Sequence, residues 1–481
     1  MKRTVGLMLV GALAFAGCGS DDKDAADDGT ATPSGPAVIT GLDSTFGRAG
    51  WAAAPLSAAD GDRLLSVTVG QDGKTYGVGY VATAGDQAMA VARLKADGSL
   101  DTTFSGDGFA TVNVAPGGKT GENSRGVAVQ STGKVVIAGA FEHDPSAAGD
   151  AGRDTDFAIT RFDAAGALDA TFGDGGTTKV DVSTGIFLPP ATGSTATTTS
   201  LVGDSAYGMT VLSDDRLLVV GTAPAKGEGR TDADFAVLMF TADGRLDTTF
   251  ATGGILTVDV EGGHESPRQA IVQPDGKIVF NGYTRNTATP PVVRPALVRI
   301  SADGTLDTTF GKGGIGGAVI LEPVGEAYDV VMQGDKFITV GYGRSADVEK
   351  VDMLAARFTS TGALDTTFGT NGLVRIDIAG DDDRGRDVVV LPDGRILIAG
   401  SAKPDATNIN AALYLLDEDG ARSASFGTNG VLQVDLGGPS DAFFGVALTP
   451  DGENAMVVGY KGADPVTGDD AVVARVALSA A

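Results

Sequence analysis

The chain has 481 residues, of which 71 are glycine, and a formal net charge of −26. Its isoelectric point near 4.3 argues against nucleic acid or an anionic membrane surface as a partner, because both require a basic protein surface. The glycine content is roughly double the usual share of about 7% and favours an all-β protein with many tight turns.

The first 17 residues have the features of a targeting signal. Lys2 and Arg3 precede an apolar run from Val5 to Phe15 that is too short to span a bilayer. The run ends in Ala14-Phe15-Ala16-Gly17-Cys18, which resembles the lipobox of bacterial lipoproteins except for Phe15, where leucine is usual. This resemblance implies a signal peptide of residues 1–17 and a lipid on Cys18, the only cysteine of the chain. An ordinary secretion signal is the alternative.

Residues 18–40 are expected to form the acylated cysteine and a disordered acidic tether. They are rich in Asp, Ala, Thr, Gly and Pro, a composition that cannot bury enough apolar surface to fold. Gly19 stands where some Gram-negative bacteria use an aspartate to retain lipoproteins in the inner membrane. We therefore expect a protein that is lipid-anchored at the cell envelope, in the outer membrane or on the cell surface of a bacterium. We also expect it to be a monomer.

A five-residue motif, Leu-Asp-x-Thr-Phe, recurs about every 60 residues after the tether. Its six copies begin at Leu42, Leu100, Leu168, Leu246, Leu306 and Leu364. A seventh copy, residues 422–427, keeps only Phe426 and the glycine that follows it. A repeat of this length indicates an array of supersecondary units.

Each unit contains four short runs rich in Val and Ile and bounded by Gly and Asp, which predict four β-strands. In the second unit these runs, A to D, lie near 125–130, 134–139, 156–162 and 177–182. Asp-Gly pairs between the first two runs, such as Asp72-Gly73, predict hairpins with type I′ turns.

Seven such units predict a seven-bladed β-propeller of four-stranded antiparallel blades over residues 41–481. A β-solenoid is the alternative, although its coils are usually shorter. The last unit ends after its third strand, near 470–476, whereas the first motif precedes any A strand. We therefore expect residues 42–55 to supply the missing outer strand and close the ring.

The motif is expected to serve the scaffold. Its Leu and Phe can face the gap between blades, and its Asp and Thr can bond nearby backbone groups. An arginine lies on strand C in five units, whereas Met239 and Leu415 replace it in units three and six. We expect this arginine to pair with the motif aspartate, and closure to pair Arg475 with Asp43. The scaffold positions are Asp43, Phe46, Asp101, Phe104, Asp169, Phe172, Asp247, Phe250, Asp307, Phe310, Asp365, Phe368, Phe426 and Arg475.

Segments such as 273–279 and 299–311 resemble the delta-60 repeat, a family of bacterial extracellular proteins. The resemblance extends from residue 42 to residue 476. It implies a β-propeller fold and a secreted or surface location. It implies no established activity and supplies no catalytic residues.

The B–C and D–A connections vary in length and should share one face of the propeller. Variable loops on a rigid scaffold are common binding sites, although neutral drift explains the same pattern. The longest connection is 183–204, and both histidines, His143 and His264, belong to this face and are expected to be exposed to solvent.

Candidate chemistry is sparse. Arg125, Arg268 and Arg386, each expected just before an A strand, could ring the channel mouth and attract an anion, or satisfy loop carbonyls. Asp329 and Asp387, on A strands of adjacent blades, are the only obvious channel acids. No cofactor is expected, except that Ca²⁺ would suit the acidic groups Asp154/Asp156, Asp232/Asp234, Asp381–Asp383 and Asp469/Asp470.

Two functions fit these features. The favoured one is a non-catalytic binding scaffold that meets a protein or glycan on the variable face. The alternative is a carbohydrate-active lyase or glycosidase that uses the channel carboxylates.

Overall fold

The computed structural model describes residues 39–478 except 40, 58–60, 84–85, 117–121, 144–153, 189–199, 312–316, 323, 345–349, 379–380 and 463–468. The predictions for the signal peptide, for Cys18 and for nearly all of the tether therefore lie outside the described residues. Among those that are described, no helix has the length and apolar character needed to cross a membrane.

The described chain is all-β, and its strands form seven four-stranded antiparallel sheets with one small extra hairpin. We number these sheets as blades 1–7 and name the strands of each A to D from the channel outward. The strands are β1 (Trp51–Ala53), β2 (Asp62–Val69), β3 (Thr75–Thr83), β4 (Asp86–Leu94), β5 (Phe109–Val112), β6 (Asn123–Val129), β7 (Val135–Glu142), β8 (Thr155–Phe162), β9 (Thr177–Val180), β10 (Ile186–Leu188), β11 (Ser200–Val202), β12 (Ser205–Val211), β13 (Leu217–Pro224), β14 (Ala233–Phe240), β15 (Ile255–Val258), β16 (His264–Val272), β17 (Ile278–Arg285), β18 (Val293–Ile300), β19 (Ala318–Ile320), β20 (Val324–Gln333), β21 (Lys336–Arg344), β22 (Asp352–Phe358), β23 (Leu373–Ile376), β24 (Arg384–Val390), β25 (Ile396–Ala402), β26 (Asn410–Leu416), β27 (Val431–Val434), β28 (Ala442–Leu448), β29 (Asn454–Lys461) and β30 (Asp470–Ala477).

Blades 1–7 follow one another in chain order, and their A strands are β2, β6, β12, β16, β20, β24 and β28. Each A strand contacts the next, and the A strand of blade 7 contacts that of blade 1, so the seven-bladed ring is closed. The remaining hairpin, β10 with β11, lies in the D–A connection between blades 2 and 3. The predicted seven-bladed propeller is confirmed.

Ring closure uses the N-terminal segment. Strand β1 is the outer strand of blade 7 and pairs antiparallel with β30, with Trp51 opposite Ala474. This confirms the predicted closure. Ile39, which we assigned to the tether, is 2% exposed and packs in the core between blades 6 and 7. The packed part of the chain therefore begins before residue 41.

The motif phenylalanines fill the gaps between blades. All seven are at most 1% exposed. Each of the first six lies under a C–D turn glycine of the next blade; a Cβ on Gly244, for example, would lie 2.5 Å from the ring of Phe172. Five motif leucines, all except Leu168, also pack against the cores between blades, and each motif leucine covers a glycine of its own blade. Leu168 lies over Gly176 in this way and is 45% exposed.

The expected arginine–aspartate pairs are present, with Nε–Oδ2 distances of 2.8–2.9 Å. They are Arg93–Asp101, Arg161–Asp169, Arg299–Asp307, Arg357–Asp365 and Arg475–Asp43. In blade 3 Met239 replaces the arginine, and Asp247 pairs instead with Arg216, which directly precedes strand B. Nη1 of Arg216 lies 3.1 Å from Oδ2 of Asp247. This explains why blade 3 keeps its aspartate.

The A–B turns differ from the prediction. A type I′ turn needs positive φ at both central residues, but in Asp72-Gly73 only Gly73 has it, at 76°. Asp72 Oδ1 instead accepts a hydrogen bond from the Lys74 N–H at 3.2 Å, and the Gly73 N–H donates to the Gly70 carbonyl at 2.9 Å. The turn is therefore a type I turn followed by a left-handed glycine, because the aspartate side chain stabilises a right-handed backbone at its own position.

Candidate functional site

Every A strand contains a β-bulge. In β6, Ser124 pairs with Gly139 and Gly126 with Ala138, so Arg125 is the extra residue. A bulge re-aims the side chain of its extra residue, and the seven extra residues all line one cavity in the channel. In blade order they are Leu65, Arg125, Tyr207, Arg268, Tyr328, Arg386 and Phe444. We call this set the bulge ring.

The bulge ring lies near the variable face. Its members are the third to fifth residues of their strands, and each A strand starts directly after a D–A connection. Arg125, Arg268 and Arg386 therefore lie within A strands, and the prediction that they precede these strands was wrong. The extra residue interrupts the alternation of apolar and polar positions. Because of this interruption, the sequence pattern did not reveal the first residues of each A strand.

Arginine and aromatic side chains alternate around the ring from blade 2 to blade 7. The Arg386 guanidinium carbon lies 4.3 Å from the ring centre of Tyr328 and 4.9 Å from that of Phe444. Arg268 lies 4.5 Å from Tyr207 and 5.1 Å from Tyr328, and Arg125 lies 5.6 Å from Tyr207. These cation–π contacts orient the guanidinium groups without neutralising them.

The positive charge of the ring is poorly compensated. Among the described residues, Arg125 and Arg386 have no carboxylate within salt-bridge distance, and Arg268 has only Glu326, at 3.8 Å. The Nε atoms of Arg268 and Arg386 are buried and lack a hydrogen-bond partner among the described atoms. Burial alone would raise the pKa of Tyr207, but the guanidinium groups of Arg268 and Arg125 outweigh it and lower that pKa. Three guanidinium groups with little direct carboxylate pairing thus share one cavity of a strongly acidic protein.

Further aromatic side chains surround the bulge ring. Tyr460 lies under Arg63, with 4.1 Å from the guanidinium carbon to the ring centre, and Tyr342 lies 4.5 Å from Arg384. Tyr283 lies 5.1 Å from Arg268. The channel mouth therefore offers both cationic groups and aromatic faces.

Asp329 and Asp387 both line the cavity and are hydrogen-bonded to each other. Each also accepts a backbone N–H from the next blade, Asp329 from Val388 and Asp387 from Val446, both at 2.9 Å. Burial, together with the charge of Asp387, raises the pKa of Asp329 well above its usual value, and burial raises the pKa of Asp387. The two carboxyl groups therefore titrate as a pair and brace three consecutive A strands.

The cavity is small. It encloses about 70 Å³, whereas pockets that hold a whole small ligand measure roughly 300–1,000 Å³. It can accept one charged group of a larger molecule.

The two histidines differ in exposure. The His143 side chain is 50% exposed, as expected, and its Nδ1 lies 2.6 Å from Oδ2 of Asp156. His264 is half-buried at the first residue of β16, and burial lowers its pKa. Its expected exposure to solvent is therefore not observed.

Sequence reasoning missed a set of buried acids. In six blades an acidic residue lies three positions before the bulge and is at most 3% exposed. Its carboxylate accepts hydrogen bonds from backbone N–H groups of the preceding connection. Oδ2 of Asp441, for example, accepts a hydrogen bond from the Leu436 N–H at 2.7 Å. The fixed offset from the bulge is the signal that could have revealed them. They are Asp62, Glu122, Asp204, Glu265, Asp383 and Asp441.

Four segments of the chain match the model of a family described as a domain of unknown function (DUF5122) beta-propeller: 70–104, 130–172, 273–310 and 391–426. Each segment runs from an A–B turn to a motif phenylalanine, in blades 1, 2, 4 and 6. A comparison with curated proteins finds no match.

Several solved structures are similar over most of the chain. One is a protein of unknown function from Dyadobacter fermentans DSM 18053, 10% identical, covering 92% of this chain and 98% of that one with a TM-score of 0.43. Another is polysaccharide lyase Uly1, 12% identical, covering 92% and 97% with a TM-score of 0.45. A third is a PL25 ulvan lyase bound to -[GlcA(1-4)Rha3S]-, 8% identical, covering 89% and 96% with a TM-score of 0.45. At these scores the likenesses carry no argument about ligand or reaction. The family matches and the observed ring of blades identify the chain as a β-propeller repeat protein.

Proposed function

We propose that this propeller is a binding module that takes an anionic group of its ligand, a sulfate, phosphate or carboxylate, into the mouth of its channel. The bulge ring carries this proposal. Arg125, Arg268 and Arg386 converge on one cavity, aromatic rings hold them apart, and their charge is largely unpaired. A guanidinium presents its N–H donors in a planar fork that matches an oxyanion.

The size of the cavity and its surroundings favour an acidic glycan as the ligand. A cavity of about 70 Å³ can hold a single anionic group, so the remainder of the ligand has to rest on the variable face. Phe444, Tyr342 and Tyr460 place aromatic rings beside the guanidinium groups there, and such pairs of aromatic and cationic side chains suit the apolar and hydroxyl-bearing surfaces of sugar rings. The net charge of −26 disfavours non-specific binding of polyanions elsewhere on the protein.

The channel aspartates fit a structural role better than glycoside hydrolysis. Retaining glycosidases need carboxyl groups about 5–5.5 Å apart and inverting ones need more, whereas Asp329 and Asp387 are hydrogen-bonded to each other. A lyase is the second candidate, because the lowered pKa of Tyr207 suits a general base beside a carboxylate held by arginine.

Calorimetric titration of the full chain tests the binding proposal, with oligogalacturonate and chondroitin sulfate as acidic probes and a neutral cello-oligosaccharide as the comparison. We expect an acidic probe to bind and the neutral one not to. Charge-assisted hydrogen bonds are worth roughly 1.5–3 kcal/mol, so Arg386→Gln should weaken binding about tenfold to a hundredfold.

Arg245→Gln is the matched control, because Arg245 is 76% exposed in a C–D turn on the opposite face. Equal binding of neutral and acidic probes, or unchanged affinity in Arg386→Gln, would contradict the proposal. Unsaturated uronates that form from the acidic probes, and whose formation Tyr207→Phe abolishes, would make the protein a lyase.

We further propose that the chain is a delta-60 repeat lipoprotein of the cell envelope, anchored through a lipid on Cys18. The lipobox-like residues 14–18 and the recurring repeat support this proposal. In a bacterial host, mass spectrometry of the N-terminal peptide should find acylated Cys18, and Cys18→Ser should move the protein from the membrane fraction to the soluble one. An unmodified cysteine would leave an ordinary secretion signal as the explanation.

A further inference from the structure

Three acidic positions recur on the variable face between consecutive blades. One lies at the start of strand C, one follows strand D, and the third is the buried acid before the bulge of the next blade. Blades 2, 3 and 5 have acids at all three positions. These triads are Asp156, Asp181 and Asp204; Asp234, Asp259 and Glu265; and Asp352, Asp377 and Asp383.

Arginine pairs with two acids of the blade 3 triad and with one acid of the blade 5 triad. Arg230 lies between the acids of blade 3, with its guanidinium nitrogens 3.1 Å from Asp234 and 2.8 Å from Asp259. In blade 5, Arg375 pairs with Asp352 at 3.1 Å. Partly buried carboxylates need a nearby positive charge, and these arginines supply it.

The triad of blade 2 lacks such a cation among the described residues. Lys179 occupies the position of Arg375, but its Nζ donates to the Val114 carbonyl at 3.2 Å and lies 4.7 Å from the Phe141 ring. Among the residues that the structure describes, His143 is the only cationic or basic side chain within 4 Å of the cluster's carboxylates.

The geometry of the blade 2 cluster suits metal coordination. One ligand atom each of His143, Asp156 and Asp181 lie within 4.8 Å of one another. Asp156 is 3% exposed, and its Oδ1 is buried without a hydrogen-bond partner among the described atoms. Asp154 and Asp204, 5% and 0% exposed, each have an Oδ1 in the same situation.

The remaining oxygens of the two flanking acids are used. Oδ2 of Asp154 accepts the Gly185 N–H at 2.7 Å, and Oδ2 of Asp204 accepts the Val182 N–H at 2.6 Å. Buried carboxylate oxygens without hydrogen-bond partners require either protons or a cation.

We propose that His143, Asp156 and Asp181 bind a divalent metal cation at the rim between blades 2 and 3, with Asp154 and Asp204 as flanking carboxylates. Carboxylate oxygens suit Ca²⁺, and an added imidazole suits Zn²⁺ or Mn²⁺. The cation would tie the end of β7 to the start of β8 and to the connection that carries the β10–β11 hairpin, on the face assigned to ligand binding.

The other acidic groups that suggested Ca²⁺ have protein cations instead. Arg230 pairs with Asp232 and Asp234. Asp381 lies 2.9 Å from the Lys350 ammonium and 3.1 Å from that of Lys403. Asp469 pairs with Arg63. The blade 2 cluster is therefore the acidic group of this set that retains unpartnered ligand atoms.

Thermal unfolding of the full chain after EDTA treatment tests the proposal, with Ca²⁺, Mn²⁺ or Zn²⁺ added separately. A cation that binds only the folded state raises the melting temperature, and we expect a rise of several degrees for at least one ion. Asp181→Asn should abolish the rise; since Asp181 is exposed, this variant should fold. Asp259→Asn, at the same position in the arginine-filled triad of blade 3, should keep it.

His143→Ala distinguishes the two kinds of ion. A retained rise with Ca²⁺ would indicate an all-oxygen site, and a lost rise with Zn²⁺ or Mn²⁺ would indicate coordination through the imidazole. Absence of a rise with all three ions, or an equal rise in wild type and Asp181→Asn, would overturn the proposal.

Discussion

The arginine of strand C contacts residues of two blades at once. Arg357 donates from Nε to Asp365 in its own blade and from Nη1 to the Glu418 carbonyl of the next blade at 2.6 Å, and its guanidinium lies 4.6 Å from the centre of the Phe368 ring. It therefore joins the outer turn of one blade to the next. Blade 6 has lost both partners of this pair, with Leu415 and Ser423 in their places, and so leaves no unpaired charge.

Replacing Arg357 should be costly, because the Arg357–Asp365 pair is buried, at 5% and 8% side-chain exposure. Breaking a buried pair by removing one partner typically costs about 3–5 kcal/mol. Since Lys336 still contacts Asp365 at 2.7 Å, we expect Arg357→Leu to lower the free energy of unfolding by about 3 kcal/mol, measured by chemical denaturation.

The double variant Arg357→Leu/Asp365→Ser reproduces the natural residues of blade 6 and should recover part of this loss, because no buried carboxylate remains. Arg245→Leu, an exposed arginine, should change little. Asp365→Ser alone completes the double-mutant cycle: if the double variant loses as much stability as Arg357→Leu and Asp365→Ser together, the pair is not coupled.

At the scale of the strands, the sequence predicted what repeats and missed what breaks the pattern. The number of blades, their four strands and the pairing of 42–55 with the last blade followed from motif copies and from runs of Val and Ile. The Arg475–Asp43 pair followed from closure. These features depend on apolar burial and on charge pairing between positions at a constant offset, both of which are visible in one sequence.

The β-bulges were not predictable in this way. A bulge adds one residue to a strand and so shifts its alternation, which made Arg268 look like a residue outside β16. The A–B turns were misjudged for a related reason, because Asp-Gly specifies a left-handed glycine but not the backbone of the aspartate. Convergence of seven bulges on one cavity became evident only from the closed ring.

The whole molecule contains two classes of carboxyl group with opposite pH behaviour. Motif aspartates such as Asp307 and Asp101 have lowered pKa values, through hydrogen bonds from Thr309 and Thr103 and nearby cations. They therefore stabilise the fold above their unfolded pKa and lose this effect only in strong acid. Five acids before the bulges, Asp62, Asp204, Glu265, Asp383 and Asp441, form the other class: burial raises their pKa values, so the sign is reversed.

Asp383 and Glu265 allow the reversed sign to be tested. Burial raises the pKa of Asp383 from 3.8 to about 7 and that of Glu265 from 4.5 to about 8. Because the folded-state pKa exceeds the unfolded one, their contribution to stability is fully present below about pH 4 and is lost as the pH rises through 7 and 8. The melting temperature of the full chain should therefore fall between pH 5 and pH 8.

Asp383→Asn removes one of these ionisations, at the cost of a hydrogen bond from the Lys403 or Ile378 N–H. Its melting temperature should be lower than that of wild type at pH 5, but should fall less between pH 5 and pH 8. Asp335→Asn, at an exposed turn, should follow the wild-type profile. A wild-type profile that is flat over this range, or equal slopes in wild type and Asp383→Asn, would show that the buried acids do not couple folding to proton uptake, and that the blades tolerate ionised carboxylates at these positions.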